Sequence, residues 1–150
     1  MIRLRVYVDT SVVGGCLDEE FAEESRALLQ MARRGDTVIL ASDLLLEELA
    51  RAPKAVQQVL VDLPRECVED MQQSDASRRL CQAYLDAGVV SPQSESDAHH
   101  VALSTVGRAD VIVSWNFKHI VHFDKIRLFN AVDLREGYPM IDIRSPKEMV

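Results

Sequence analysis

The sequence predicts a single α/β domain in which a mostly parallel sheet of about five strands is wrapped by helices. Short runs rich in β-branched residues alternate along the chain with longer segments of helical periodicity. The 150 residues are 47% hydrophobic, which is enough for one core. Because no repeat and no linker rich in Gly, Ser or Pro divides the chain, we expect residues 1–150 to form one domain.

Five short apolar runs are the predicted strands. The first ends in Val-Tyr-Val, a β-branched and aromatic composition typical of a central strand. The run that begins at Asp110 is equally apolar, whereas the run at Cys67 is the weakest of the five. The predicted strands are residues 2–8, 38–41, 67–69, 110–114 and 140–144.

Helical periodicity and capping residues predict the helices between these strands. Thr10 or Ser11 is the expected cap after the first strand, with a loop around Gly14 and Gly15. Ser42 is the expected N-cap of the helix after the second strand, and Pro53 begins the next one. Ser94 and Asp97 have the spacing of a capping box, in a helix that ends at Gly107. The other predicted helices span residues 18–34, 53–63, 74–87 and 122–135.

The overall composition excludes several classes of protein. A net charge of −7 and a pI near 5.0 argue against a coat that binds nucleic acid regardless of sequence. The 3 cysteines show no C-x-x-C spacing, so we expect reduced, mostly buried thiols and no disulfide framework or zinc site. No apolar run approaches the roughly 20 residues that span a bilayer, and no long apolar segment opens the chain. We therefore expect a cytoplasmic protein without membrane contact.

Three acids occupy corresponding positions in successive units of the predicted sheet. Asp9 follows the first strand, Glu48 lies in the helix after the second, and Asp97 lies in the first turn of the helix before the fourth. In open parallel sheets these positions share one edge, where ligands bind. Carboxylates that converge there repel one another unless a hard divalent cation neutralises them, so we expect Mg²⁺ or Mn²⁺. Such an ion orients water for attack on phosphorus, which indicates phosphodiester hydrolysis.

Each acid also has an ordinary structural interpretation. Asp97 alone is best explained as a partner of Ser94 in the capping box, and Asp9 as a strand-to-helix cap. Glu48, considered by itself, is explained as half of an exposed charged pair with Glu47 on the helix. The metal site is favoured because the three occur together at corresponding positions, not because any one of them is diagnostic.

Four segments of the chain resemble the PIN domain. They are Val6-Tyr-Val-Asp9-Thr10-Ser11, Ser42 with Glu48-Leu49 six residues later, Asp97-Ala98 at a helix start, and Ala109-Asp110 followed by Val113-Ser114-x-Asn116. The resemblance covers nearly the whole chain and implies a three-layer α/β/α sandwich. It also implies a Mg²⁺-dependent ribonuclease, as in the VapC toxins of toxin–antitoxin pairs. By the same resemblance, RNA is the substrate, a small antitoxin protein is a partner, and the protein is a homodimer.

The resemblance also assigns roles to individual residues. Asp9, Glu48 and Asp97 correspond to the metal-binding acids, and Asn116 stands where the family commonly has a fourth acid. Asn116 supplies an amide that can help to position water but adds no negative charge, which favours one metal ion over two. The string Trp-Asn-Phe-Lys-His at residues 115–119 resembles a subgroup of PIN-like proteins that carry it as their normal form. The alternative function is therefore a catalytically weak or inactive PIN-like module that binds RNA or protein.

Other polar residues near the predicted edge have two interpretations. His99 and His100 are adjacent on a helix, so one must point away from the site, and a satisfied histidine is the default. Trp115 is expected in the core, although base stacking is the alternative. Basic residues contact RNA phosphates or are merely solvated: Arg33, Arg34, Lys118, His119, Lys125 and Arg127. A phosphatase is disfavoured because Ser11 stands where a second Asp would be needed.

Overall fold

A computed structural model describes residues 3–150 and contains a five-stranded sheet in the order β3-β2-β1-β4-β5. All four strand pairs are parallel. The strands are β1 Leu4–Val8, β2 Thr37–Ser42, β3 Val68–Met71, β4 Val111–Val113 and β5 Asp142–Arg144. The helices are α1 Thr10–Gly15, α2 Ala22–Arg33, α3 Asp43–Leu49, α4 Lys54–Val61, α5 Asp75–Asp86, α6 Glu95–Val106, α7 Phe123–Arg135 and α8 Pro146–Met149.

The central strand β1 divides the hydrophobic core into two halves. Tyr7 points into a cluster that includes Tyr84 and Phe129 from α5 and α7. Val6 and Val8 point to the opposite face, into a cluster that includes Leu28 of α2. Alternate residues of a strand face opposite sides, and both faces of a parallel sheet need helical cover. The predicted three-layer α/β/α sandwich is therefore confirmed.

The five predicted strands are present with shifted ends. The first begins at Leu4 in the described part of the chain, and predicted residue 2 lies outside it. The predicted helix over 18–34 begins only at Ala22. Gly14 and Gly15, expected in a loop, lie in the short helix α1, and α8 was not expected at all. The sequence therefore predicts the strands and the longer helices, but it misses the short helices α1 and α8.

Two predicted caps are wrong. The N-cap of α1 is Asp9, not Thr10 or Ser11, because its extended backbone lets the carboxylate accept from the amide of Val12. Ser94 makes no side-chain cap at α6, so the expected capping box with Asp97 does not form. A 3₁₀ turn over Pro92–Ser94 leads into α6 and gives Ser94 ψ 26°, whereas a capping side chain needs extended backbone.

Other features agree with the sequence analysis. Ser42 caps α3, and its hydroxyl accepts from the amide of Leu45 at 3.0 Å. Cys16, Cys67 and Cys81 are buried free thiols. Within residues 3–150, no helix combines the length and apolar character needed to cross a membrane.

Candidate functional site at the carboxyl edge of the sheet

Polar side chains collect where the three central strands end. Asp9 follows β1 directly, Ser42 is the last residue of β2, and Ser114 follows β4. Because the strands are parallel, their carboxyl ends lie at one edge of the sheet. Helix α3, which carries Glu48, begins at this edge after β2. Asp110, by contrast, lies at the other edge, where its carboxylate accepts from the amide of Arg5 at 2.7 Å.

Asp9 is almost completely enclosed, with 4% of its surface exposed. The hydroxyls of Ser11 and Ser114 each donate to its carboxylate at 2.6 Å, one to each oxygen. Burial raises the pKa of Asp9, while the nearby His100 ring and the two hydroxyl donors act in the opposite direction. The carboxylate is thus held by one donor from α1 and one from the end of β4.

Glu48 reaches the same edge from α3 and is 28% exposed at its side chain. Its Oε1 accepts from the hydroxyl of Thr10 at 2.6 Å and pairs with Nε2 of His100 at 2.5 Å. Partial burial raises the pKa of Glu48, but the hydrogen bond and charge of His100, and then Thr10, outweigh it and hold that pKa below its ordinary range. Thr10 directly follows Asp9 in the chain. Its hydrogen bond therefore ties Glu48 to the segment that carries Asp9.

His100 connects Glu48 to the buried side of the sheet. Its Nδ1 lies 2.6 Å from the hydroxyl of Tyr7, which lies 2.8 Å from the hydroxyl of Ser42. Burial raises the pKa of Tyr7, and the neighbouring carboxylates of Asp9 and Glu48 add to that effect. Through His100 and Tyr7, Glu48 is thus connected to the strand that Asp9 follows.

Asp97 and Asn116 are the other two candidate site residues. Asp97 is partly exposed in the first turn of α6, three residues before His100, and its carboxylate makes no hydrogen bond within residues 3–150. Asn116 is fixed: its Oδ1 accepts from the backbone amide of His119, and its backbone amide donates to the hydroxyl of Ser114, both at 2.9 Å. The side-chain oxygen of Asn116 thus caps a turn, while its NH₂ group makes no hydrogen bond within residues 3–150.

The donor set suits a hard divalent cation in chemistry but is sparse in number. No group of three or more His, Cys, Asp or Glu side chains in the described chain is close enough to hold a metal ion. Mg²⁺ commonly binds through one or two carboxylates, with waters and substrate phosphates completing its shell. Asp9 and Glu48 offer two carboxylates, which is the number that Mg²⁺ commonly takes from a protein.

Aromatic residues border the site beside Asn116. A cavity of about 550 Å³ is lined by Ser11, Gly14, Phe21, Trp115 and Asn116, among others. The indole of Trp115 stacks on Phe21 with centroids 4.3 Å apart and is 6% exposed, which confirms its place in the core. Phe117 is 49% exposed and meets Trp115 edge-on at 6.1 Å. The cavity therefore opens next to an exposed aromatic ring.

Several of the basic residues that the sequence analysis considered are engaged within the protein. Nζ of Lys125 donates to the carbonyl of Val89 at 2.5 Å, and the guanidinium of Arg127 lies 5.6 Å from the ring of Phe123. His119 pairs with the hydroxyl of Ser94 at 3.3 Å, whereas Lys118 is exposed. Of these, Lys118 is best placed to meet a phosphate in solvent.

Sequence reasoning missed the role of His100. His99 and His100 point different ways, as expected for neighbours on a helix: Nε2 of His99 meets the hydroxyl of Ser77 at 3.0 Å, away from Glu48. The available signal was the spacing of three between Asp97 and His100, which puts both on one side of α6. That spacing does not predict that the partner of His100 is Glu48, which is 52 residues away in the chain.

No protein-family model and no curated protein sequence matches this chain significantly. Two similar solved structures are VapBC2 from Rickettsia felis bound to a DNA fragment from their promoter, and DNA-bound VapBC from Salmonella typhimurium. The first is 13% identical with a TM-score of 0.61, and the second 16% identical with a TM-score of 0.55. Each match covers 95% of this chain and 98% of the other. At such identities the likeness concerns the fold, and it confirms the predicted VapC-like PIN fold.

Proposed function

We propose that this protein is a Mg²⁺- or Mn²⁺-dependent ribonuclease that acts as the toxin of a toxin–antitoxin pair. One observation carries the proposal: Asp9 directly follows the central strand of a VapC-like sheet, and the next residue, Thr10, donates a hydrogen bond to the carboxylate of Glu48. Hard oxygen donors at this edge suit a divalent cation and, through it, a phosphodiester. Similarity to VapBC structures supports the toxin assignment.

Each site residue has a distinct task in this proposal. Asp9 and Glu48 hold the ion, and Asp97 adds a third carboxylate from the first turn of α6. The hydroxyls of Ser11 and Ser114 keep the Asp9 carboxylate fixed. When bound, the ion supplies Lewis-acid stabilisation of the charge that develops on the phosphoryl group. Asn116 uses its free NH₂ group to orient the attacking water or a phosphate oxygen.

An RNA substrate is supported by the surroundings of the site. The exposed ring of Phe117 beside the cavity offers a surface on which an unpaired base can stack. Lys118 next to it offers a charge for a phosphate. With a net charge of −7, the protein must concentrate its RNA contacts in such a local patch.

The test compares two adjacent glutamates. Purified protein should cleave single-stranded RNA with Mn²⁺ or Mg²⁺ and not with EDTA. Asp9→Asn and Glu48→Gln should each lower kcat/KM by more than about 100-fold, because each removes a ligand charge. Glu47→Gln, one residue away but exposed, should retain full activity. Absence of metal-dependent cleavage in the wild type, or full activity in Glu48→Gln, would contradict the proposal.

The second candidate function is a PIN-like binding module without catalysis. It is favoured by the absence of a three-residue metal group within residues 3–150 and by the imidazole that already pairs with Glu48. Such a module would bind RNA equally well in EDTA and in Mn²⁺. A gel-shift with uncleaved RNA, unaffected by Asp9→Asn, would support this alternative over the nuclease.

We propose two protein partners as well, a small antitoxin and a second copy of this chain. Both follow from the PIN resemblance, and the VapBC complexes with which the fold is shared support the antitoxin. Light scattering on a size-exclusion column should give about twice the 16.9 kDa of one chain. Co-expression with the product of the adjacent reading frame should suppress ribonuclease activity. A monomer at all concentrations would contradict the homodimer. Undiminished ribonuclease activity on co-expression would contradict the antitoxin.

A further inference from the structure

Four buried or half-buried side chains form a continuous hydrogen-bonded chain that ends on Glu48. It runs from Ser42 at the end of β2 through Tyr7 of β1 and His100 of α6. The three steps are 2.8, 2.6 and 2.5 Å long. Residues separated by as many as 93 positions thus meet in one row. The elements that supply them are also the ones that build the candidate site.

The chemistry of the end group fixes the donor at Glu48. An ionised carboxylate only accepts hydrogen bonds, so Nε2 of His100 must carry the proton that points at Glu48. Nδ1 of a neutral ring accepts from the phenol of Tyr7, and Nδ1 of a protonated ring donates to it. The hydroxyl of Ser42 bonds to the phenol of Tyr7 and accepts from the amide of Leu45. In both states of the ring, Nε2 donates to Oε1 of Glu48.

The row determines which oxygen of Glu48 is available. Both donors, Thr10 and His100, act on Oε1. Oε2 makes no hydrogen bond to any residue in the described part of the chain. A glutamate side chain left to itself loses substantial rotamer entropy when a ligand fixes it. In this protein Glu48 loses that entropy when the chain folds, because the imidazole of His100 and the hydroxyl of Thr10 already hold its carboxylate in place.

His100 is itself held firmly enough to do this. It is 2% exposed, and its ring meets the ring of Tyr7 edge-on with centroids 5.7 Å apart. Tyr7 is completely buried in β1, the middle strand of the sheet. The orientation of the imidazole is therefore set by the sheet and not by solvent.

We propose that His100, oriented by Tyr7, is a positioning residue that fixes Oε1 of Glu48 and leaves Oε2 free as the metal-binding oxygen. The inference deepens the proposed function and rests on it. It assigns to a buried histidine a role that neither the acids nor Asn116 performs. His100 does not touch the substrate; it prepares one carboxylate before the ion arrives.

The chain supplies a matched control for this inference. His99 precedes His100 on α6 and is also buried, and its Nε2 also makes a hydrogen bond, but to the hydroxyl of Ser77 in α5. His99→Ala and His100→Ala therefore remove the same ring from the same helix. Only the second removes a donor to Glu48.

The experiment measures Mn²⁺ binding to metal-free protein by isothermal titration calorimetry, with RNA cleavage as a second readout. His100→Ala should raise the Mn²⁺ dissociation constant by about 10-fold to 100-fold, the usual cost of losing a group that orients a ligand. His100→Gln, whose amide can still donate to Oε1, should recover most of that affinity. Tyr7→Phe should give an intermediate loss, and His99→Ala should bind as the wild type does.

Cleavage kinetics separate positioning from a structural defect. At fixed low Mn²⁺, His100→Ala should lose kcat with little change in KM for RNA, and added Mn²⁺ should restore kcat. Near-ultraviolet circular dichroism checks that each variant is folded. Should His100→Ala fail to fold, the comparison of His100→Gln and Tyr7→Phe with wild type decides the question.

The outcomes distinguish this inference from the proposed function. A wild type that binds no Mn²⁺ and cleaves no RNA contradicts the proposed function, and the inference falls with it. If the wild type binds Mn²⁺ and cleaves RNA, but His100→Ala and Tyr7→Phe bind Mn²⁺ as tightly as His99→Ala does, the inference about His100 is overturned and the proposed function stands. Loss in His100→Ala without recovery in His100→Gln also overturns it, because the hydrogen bond would then not be the cause.

Discussion

Two buried aspartates of this protein have very different surroundings. Asp9 lies at the edge of the sheet, where two hydroxyls donate to its carboxylate. Asp133 lies in α7 with no exposed surface, and its main donor is the phenol of Tyr84 at 2.5 Å. The hydroxyl of Thr105 is more distant, at 3.4 Å. Burial raises the pKa of Asp133 to about 6 in spite of these two donors.

Asp133 should make stability depend on pH. Because its pKa is raised on folding, the native state binds more protons than the unfolded chain between pH of about 4 and about 6. The free energy of unfolding should therefore fall as pH rises through that window. Asp133→Asn keeps an acceptor for Tyr84 without the charge, so it should lose that slope and gain about 1 kcal/mol at pH 7.

Urea unfolding at a series of pH values measures this effect. The exposed Asp86→Asn, also near the end of a helix, should retain the slope of the wild type. If Asp133→Asn shows the same slope as Asp86→Asn, the Asp133 carboxylate is not the group responsible.

The site residues differ in how far they could be predicted. Asp9, Glu48 and Asp97 follow from their positions at the ends of strands and the starts of helices, which the sequence marks locally. The donors that hold the first two do not, because Ser114 is 105 residues from Asp9 and His100 is 52 from Glu48. Those pairs depend on strand register and helix rotation, which local patterns leave open.

At the scale of elements, α6 shows why local rules fail at helix ends. The spacing of Ser94 and Asp97 satisfies the capping-box pattern, yet the preceding 3₁₀ turn leaves Ser94 in the wrong backbone conformation. The serine hydroxyl pairs instead with His119. Asp97 is thereby released from the structural role that would have competed with a functional one.

The other end of α6 was predicted correctly. Gly107 ends the helix, but its backbone stays right-handed, and the left-handed residue is Arg108 with φ 56°. A Cβ at 107 would lie 2.0 Å from Cε of Met71, the end of a flexible side chain, and 3.0 Å from the carbonyl oxygen of Leu103. A larger residue at 107 would therefore require the Met71 side chain to move.

The left-handed Arg108 predicts a stabilising substitution. A residue with a Cβ pays roughly 1–2 kcal/mol in this conformation, and glycine does not. Arg108 is exposed, and the guanidinium of Arg5 bonds to its backbone carbonyl at 2.8 Å, which a substitution preserves. Arg108→Gly should therefore raise the free energy of unfolding by about 1 kcal/mol.

Urea denaturation with unchanged m-value is the measurement for this substitution. Arg108→Ala serves as the control, because it removes the same side chain but keeps the Cβ. If Arg108→Ala raises the free energy of unfolding as much as Arg108→Gly does, the effect comes from removing the arginine side chain, and backbone strain at residue 108 is not its cause.

At the scale of the molecule, the order β3-β2-β1-β4-β5 brings the separate parts of the site together. Placing β1 in the middle puts the ends of β2 and β4 on either side of Asp9. Alternating strand and helix patterns predicted the parallel sheet, and the parallel sheet predicted the shared edge. They could not predict the number of acids close enough for one ion, because that depends on side-chain conformations at the ends of three elements.

A bound divalent ion should stabilise the whole fold through linkage. A ligand that binds only the native state at a concentration about 100 times its Kd adds about 2.7 kcal/mol. For a domain of this size that corresponds to a rise in Tm of about 5–10 °C. Mn²⁺ should therefore raise the Tm of the wild type, and EDTA should reverse the rise.

Charge screening is the competing explanation, because a protein with net charge −7 is stabilised by any salt. KCl at the same ionic strength gives the size of that general effect. Asp9→Asn and Glu48→Gln change the net charge by the same single unit as Glu47→Gln, so screening affects all three alike. Only the first two should lose the Mn²⁺-specific rise, because only those carboxylates reach the edge of the sheet. An equal rise in all three variants would mean that the ion acts through bulk charge, and that no metal site is formed by Asp9 and Glu48.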